Sequence, residues 1–117
     1  MPALPFSQAL VANQLGANPL AGWQYEYVPA AWGAGAVAKL LTRATTINTR
    51  LTIFSGSTTV QERSPIQGGG VAGTTPSELN TTPTTWLAMP GDRLKLSIDE
   101  VGAAVATVDG IIILEPV

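Results

Sequence analysis

Carboxylates are the most reactive side chains that this sequence offers. The chain has eight of them: Glu26, Glu62, Glu78, Asp92, Asp99, Glu100, Asp109 and Glu115. A glycosidase needs two carboxylates facing each other across a cleft, and a calcium loop usually follows a D-x-D-x-D spacing. That spacing is absent, and the carboxylates occupy positions expected to face solvent. The sequence therefore predicts no catalytic residue and no metal ligand.

Other kinds of reactive site are excluded by residue type. The chain contains no histidine and no cysteine, which removes thiol nucleophiles, zinc fingers and histidine acid–base catalysis. Ser55 and Ser57 flank Gly56 with the wrong spacing for a nucleophile elbow. The triplet Gly68-Gly69-Gly70 lacks the Lys-Ser/Thr of a phosphate-binding loop and indicates flexibility or positive φ. We expect a protein that is not an enzyme and has no cofactor.

The composition is unusually poor in charge. Of the 117 residues, 45% are hydrophobic and 12% charged, against about 25% charged in typical domains. No apolar run approaches the roughly 18 residues of a membrane helix, so no membrane partner is expected. Scarce charge favours a surface covered by partners, as in an obligate oligomer. The alternative is a monomer with a neutral surface rich in Thr and Gln.

The charged residues that are present argue against two further partners. The net charge is −2, and the six basic residues are spread singly along the chain. They cannot build the basic stripe that follows a phosphate backbone, so we expect no nucleic-acid partner. Residues 1–5 lack the basic and apolar regions of a signal peptide, so we expect a protein made in a cytoplasm and not secreted.

Alternation of polar and apolar residues predicts an all-β fold. The clearest elements are a hairpin, Thr49–Ser55 and Thr58–Arg63 joined at Gly56-Ser57, and the strand Asp92–Asp99. Ile111–Glu115 is apolar on both faces, which indicates a central strand, and Asp109-Gly110 before it reads as a turn. Further strands are predicted over residues 7–13, 22–28, 36–45 and 83–89. For 36–45 a helix stays open, because Val37, Leu40 and Leu41 also fit a helical stripe.

About eight short strands favour a single-domain antiparallel β-sandwich over residues 8–117, with jelly-roll topology. An immunoglobulin-like sandwich is the alternative, although its Cys…Trp…Cys pattern is absent. Residues 1–7 are expected to form an extended arm, because Met1–Pro5 holds two prolines. Residues 64–82 form a long loop with four glycines and two prolines. Such loops are usually functional or contact a partner.

The arm, the long loop and one loop tryptophan supply the candidate partner contacts. These are Pro2, Leu4, Pro5, Trp32, Gly68, Gly69, Gly70, Thr74, Thr75 and Leu79. Trp23, Tyr25 and Tyr27 would share one face of the predicted strand 22–28. Such a stripe is more typical of a core or a subunit interface than of a ligand site.

Four stretches carry a resemblance to a known class of proteins. They are Gly22–Tyr27, Phe54–Arg63, Pro90–Leu96 and Asp109–Ile112. Together with the low charge, they make the chain similar to small structural proteins of bacterial viruses: capsid decoration (cement) proteins, head fibres and minor capsid jelly rolls.

The resemblance implies a virion protein, made in the host cytoplasm, that forms a homotrimer where major capsid proteins meet. Its arm or loop would lock neighbouring subunits together. The alternative function is a carbohydrate-binding sandwich that recognises a glycan by stacking Trp23, Tyr25, Trp32 or Trp86 on sugar rings. Buried aromatics with a large trimer interface favour the first function, whereas two exposed coplanar rings near a carboxylate favour the second.

Overall fold

Seven β-strands and no helix form in the part of the chain that the computed structural model describes, residues 3–77, 81, 83–102 and 105–117. The strands are β1 (Ala3–Leu10), β2 (Ala36–Ala44), β3 (Thr49–Ser55), β4 (Thr58–Pro65), β5 (Thr84–Ala88), β6 (Leu94–Glu100) and β7 (Ala106–Pro116). The predicted all-β class is confirmed.

The strands form two antiparallel sheets that pack face to face. One has the order β1-β7-β2-β5 and the other β4-β3-β6. Alternate residues of each strand point inward, and together they form one hydrophobic core. Its fully buried members include Leu40, Ile112 and Leu114 from the first sheet and Ile53, Leu96 and Ile98 from the second. This arrangement is a β-sandwich, as predicted.

The apolar C-terminal strand is central, as its composition predicts. β7 lies between β1 and β2 and pairs with both along most of its length. The predicted turn at Asp109-Gly110 is wrong, because both residues lie in the middle of β7. Position 110 requires a glycine because neighbouring atoms approach its backbone closely. A Cβ atom would meet the Phe6 ring and lie 2.8 Å from the carbonyl oxygen of Leu41.

The ambiguous segment 36–45 is a strand, so the helical alternative is wrong. Ala36, Ala38 and Leu40 are buried on its inner face. β2 also pairs on one side with β7 and on the other with β5. A helix could not supply both rows of main-chain hydrogen bonds, so tertiary pairing selects the strand that the sequence favours over the helix that it leaves open.

The predicted strand 22–28 is wrong. Residues 14–28 instead form turns that run along the free edge of β6, touching it as isolated bridges at Ala17–Ile98 and Tyr27–Arg93. The N–H of Leu94 donates to the carbonyl of Glu26 at 2.6 Å. The segment covers an edge that would otherwise expose unpaired main-chain groups.

The N-terminal residues are not a free arm from Ala3 onward. Ala3 to Leu10 pair in continuous register with Ile113 to Ala106 of β7. Pro5 is tolerated because β1 is the edge strand of its sheet, where a missing N–H breaks no second ladder. Consequently the strand predicted over 7–13 begins earlier and ends at Leu10.

The hairpin is confirmed, with its turn at Gly56-Ser57 and two register irregularities between β3 and β4. β4 extends to Pro65, so the long connection begins at Ile66 rather than Ser64. The strands predicted over 83–89 and 92–99 are confirmed as β5 and β6. Leu94, Leu96 and Ile98 of β6 face the core as expected.

Candidate interaction surfaces

Five carboxylates hold the chain's own loops. Each accepts a main-chain N–H: Glu26 from Gly22, Asp92 from Met89, Asp99 from Gly16, Glu100 from Gly102, and Asp109 from Gly73, at 2.7 to 3.2 Å. Asp99 also pairs with Arg63 at 3.0 Å, and Asp92 accepts from the Ser55 hydroxyl at 3.3 Å. These contacts fix turns and strand ends, which is a structural task.

The described residues form neither a metal-binding cluster nor a membrane-spanning helix. Over the described ranges, no three His, Cys, Asp or Glu side chains lie close enough together to hold a metal ion. The same residues include no helix long and apolar enough to cross a membrane.

Glu26 and Arg93 form an ion pair that fastens the edge-covering segment to β6. The Nε of Arg93 donates to Glu26 Oε2 at 2.8 Å. The hydrogen bond from Arg93, with a smaller contribution from the Gly22 N–H, lowers the pKa of Glu26. The same bond raises the pKa of Arg93. The Glu26 carbonyl also accepts the N–H of Leu94, so the side chain and the main chain of Glu26 both hold the segment against β6.

The long loop is folded back on its own sheet. The Gly70 N–H donates to the Ala44 carbonyl at 2.9 Å, and Arg43 Nε donates to the Gly68 carbonyl at 3.2 Å. The Gly73 N–H lies 3.2 Å from each carboxylate oxygen of Asp109. Arg43 and Asp109 are cross-strand neighbours on the outer face of the β1-β7-β2-β5 sheet, the face turned away from the core. Residues 66–77 therefore cover part of that face.

Within this loop the candidate contacts fall into two groups. Gly68 and Gly70 are half-buried against the sheet, whereas Gly69, Thr74 and Thr75 are exposed. Gly69, Gly70, Thr74 and Thr75 line one shallow pocket with Arg43, of about 240 Å³. The structure thus brings most of the loop candidates together at the end of β2.

The remaining candidates lie elsewhere. Leu4 is half-buried and packs against the core, and Pro5 is exposed on the outer face of β1. Trp32 precedes the start of β2, whereas the loop covers the end of that strand. Pro2 and Leu79 lie outside the described residues.

The aromatic residues form a cluster rather than a stripe. Trp23 meets Tyr25 edge to face at 5.5 Å, and Tyr25 stacks on Trp32 at 5.4 Å with 17° between the planes. All three are half-buried and pack against the core. Tyr27 is exposed instead, because the segment is not a strand. Trp86 is half-buried on the inner face of β5, and its Nε1 has no acceptor among the described residues.

Sequence patterns did not reveal a patch at one end of the sandwich, which we call the loop-end patch. It consists of five exposed aliphatic side chains: Val11, Leu15, Ile47, Val101 and Val105. Their loops are tied together, because the N–H of Asn13 donates to the Gly102 carbonyl and that of Val101 to the Asn48 carbonyl. A pocket of about 450 Å³ adjoins the patch between Val11, Ala72 and Val105. The signal in the sequence is the lack of charge: no charged side chain occurs in residues 1–25, 44–49 or 101–108.

A second patch, which we call the turn-end patch, lies at the opposite end. It consists of Val37, Leu87 and Met89, each 39% or more exposed. Val37 and Leu87 are cross-strand neighbours near the start of β2, whereas the loop-end patch lies beyond the end of that strand. Nine residues of β2 separate the two ends by about 25 Å.

Comparison with known protein families, characterised proteins and solved structures finds no match to this chain. Its function must therefore be inferred from its own residues and surfaces.

Proposed function

We propose that this chain is a non-enzymatic structural protein of a virion, a capsid decoration protein that binds and stabilises the shell of a major capsid protein as an oligomer. One observation carries the proposal: the sandwich exposes an apolar patch at each of two opposite ends. A molecule with two such surfaces can contact its own copies at one end and a larger assembly at the other. Contiguous exposed apolar surface is typical of interaction sites.

The two patches differ in a way that suits two kinds of partner. The loops that carry the loop-end patch have no charged side chain. Beside the turn-end patch, Lys39 and Glu115 lie on the same outer face of the sheet, next to Val37 on neighbouring positions of β2 and β7. An apolar centre with a polar rim is the usual anatomy of an interface between different proteins. We therefore assign the turn-end patch to the capsid shell.

The use of the carboxylates supports a structural role. Glu26, Asp92, Asp99, Glu100 and Asp109 all hold main-chain N–H groups. Each of these carboxylates therefore has at least one oxygen engaged in fixing a loop. Most of the eight carboxylates thus stabilise the fold of the chain itself.

The strand order supports the jelly-roll topology that we propose. β1 pairs with the last strand, β7. In the corresponding sheet of an immunoglobulin-like domain, the first strand pairs with the second strand instead. Residues 14–28 run along β6 through isolated bridges. Counted as an eighth member beside β6, they would give the two four-membered sheets of a jelly roll. Jelly rolls occur in viral capsid proteins and in lectins.

No specific observation among the described residues favours the glycan-binding alternative. Tyr25 and Trp32 are coplanar, but they stack on each other and pack against the core. The carboxylate nearest in sequence, Glu26, is engaged by Arg93.

The proposal is tested with shells of the major capsid protein encoded in the same viral genome. Shells mixed with the purified protein are sedimented through a density gradient and then heated. We expect the protein in the shell fraction and a higher temperature of shell dissociation. Leu87→Asp should abolish co-sedimentation, because it places a charge in the turn-end patch. If the wild-type protein stays at the top of the gradient, the proposed function is wrong.

A further inference from the structure

We infer that the loop-end patch is the surface through which copies of this chain associate, patch against patch. The inference deepens the proposed function and rests on its oligomeric part, because it assigns a surface to the self-contact. The occupant of the patch is a second copy of this chain. In each copy the turn-end patch lies about 25 Å away along β2 and stays free for another partner.

The exposure of the patch is the first argument. Val11, Leu15, Ile47 and Val105 are 62 to 77% exposed and Val101 is 42% exposed. At about 100 Å² of apolar area for each fully exposed side chain, the five offer about 300 to 350 Å². A standard interface covers about 800 Å² per partner. The five side chains supply the apolar centre, and the uncharged loops around them supply the rest.

Charge is the second argument, and it favours a copy over an unrelated partner. In a two-fold contact each residue lies near its own counterpart or near other residues of the same patch, so a charge on the axis meets a like charge, and a charge off the axis needs an opposite charge within the same patch. Residues 11–17, 45–48 and 101–105 contain no charged side chain. The Arg50 guanidinium donates to the Ile47 carbonyl at 3.1 Å, which fixes this cation next to the patch through an internal bond.

The loops are also held in place before any contact forms. The Glu100 N–H donates to the Gln14 carbonyl at 2.8 Å, and the Val101 N–H to the Asn48 carbonyl at 2.9 Å. The Glu100 carboxylate in turn accepts the N–H of Gly102 at 2.8 Å. Since Gln14, Asn48 and residues 100–102 are tied to one another, association does not have to order them, which lowers the entropic cost of binding.

The pocket beside the patch is a recess that can receive a side chain of the second copy. It is lined by Ala9, Leu10, Val11, Thr45, Ala72, Val105, Ala106 and Thr107, without a charged residue. An aliphatic side chain of the second copy can enter it and be buried on several sides. Well-packed anchors of this kind supply most of the binding energy of an interface.

The first test measures mass in solution by light scattering at micromolar concentration. We expect the wild-type chain to exceed its monomer mass of 12.1 kDa. The double variant Ile47→Asp, Val105→Asp should shift to the monomer mass with an unchanged circular dichroism spectrum, because both side chains are exposed. Leu87→Asp is the matched control at the other end and should keep the wild-type mass. An oligomeric double variant, or a monomeric Leu87→Asp, would overturn the assignment.

The second test does not depend on weakening the contact. Because the chain contains no cysteine, single cysteines can be placed at Val11, Leu15, Ile47 and Val105 and, as a control, at Leu87. We expect oxidation to give disulfide-linked dimers within the loop-end series and none with Leu87→Cys. A loop-end series without crosslinks would refute the inference. A monomeric wild-type chain would refute this inference and also the oligomeric part of the proposed function. An oligomer whose copies contact each other through another surface would refute only the assignment of the loop-end patch and would leave the proposed function standing.

Discussion

Both carboxylate oxygens of Asp109 lie 3.2 Å from the main-chain nitrogen of Gly73. Asp109 is 3% exposed and sits in the middle of the central strand β7, while Gly73 belongs to the long loop after β4. This contact joins two regions that the sequence presents as a turn and a docking arm. It is one reason why the described part of the loop lies on its own sheet.

Replacing Asp109 with alanine should release the loop. The Gly73 N–H loses its acceptor and a buried carboxylate disappears, so we expect a loss of about 1–3 kcal/mol in the free energy of unfolding. Hydrogen exchange of residues 66–77 should become faster. Glu115→Ala, an exposed carboxylate on the same strand, is the control and should cost no more than about 0.5 kcal/mol. Unchanged exchange in Asp109→Ala would show that this bond does not hold the loop.

Gly110→Ala should be strongly destabilising for a steric reason. The added methyl would meet the Phe6 ring and lie 2.8 Å from the Leu41 carbonyl oxygen, a main-chain atom that cannot move aside. We expect a loss of about 1–3 kcal/mol or more, measured by urea denaturation. Gly33→Ala, where a Cβ would meet nothing within 4 Å, should change stability by less than about 0.5 kcal/mol. Similar effects at both glycines would contradict the close packing of Phe6 over β7.

Thr49→Val should stabilise the protein. Thr49 is fully buried, and its hydroxyl has no hydrogen-bond partner among the described residues. Valine has nearly the same shape and removes this unsatisfied group, so we expect a gain of about 1–2 kcal/mol in chemical denaturation. Thr52→Val, on the half-exposed opposite face of β3, is the control and should be nearly neutral. A destabilised Thr49→Val variant would mean that the hydroxyl has an acceptor.

The ion pair between Glu26 and Arg93 predicts a pH dependence. Because the pKa of Glu26 is lowered in the folded chain from its ordinary value of 4.5, its contribution to stability is complete above that value. It is lost as the pH falls through the lowered pKa. Urea midpoints of the wild type and of Glu26→Gln should therefore differ at pH 7 and converge as the pH falls below 4.5 and through the lowered pKa. Since the Arg93 side chain is 46% exposed, added salt should also reduce the difference. A difference that is constant across this pH range would exclude Glu26 as its source.

Strand identity was largely readable from local patterns. Leu94, Leu96 and Ile98 alternate with polar residues, and the Gly56-Ser57 turn separates two alternating runs, so β6 and the β3–β4 hairpin followed directly. These signals are local because a side chain's face in a strand depends only on whether its position is odd or even. The low charge predicts surfaces covered by partners, and this stays a prediction.

Tertiary structure decided what local patterns could not. In the sequence, Gly110 is typical of a turn. In the fold, it lies against the ring of Phe6, which is more than a hundred residues earlier in the chain. Residues 22–28 alternate like a strand, yet the edge of β6 holds them as turns. The loop-end patch has the same origin, because Val11, Ile47 and Val105 come from three separate loops that only the folded chain ties together. The sequence determined most of the strands and that charge is scarce. Only long-range packing decided which glycine is buried, which loop is held and which apolar side chains share a surface.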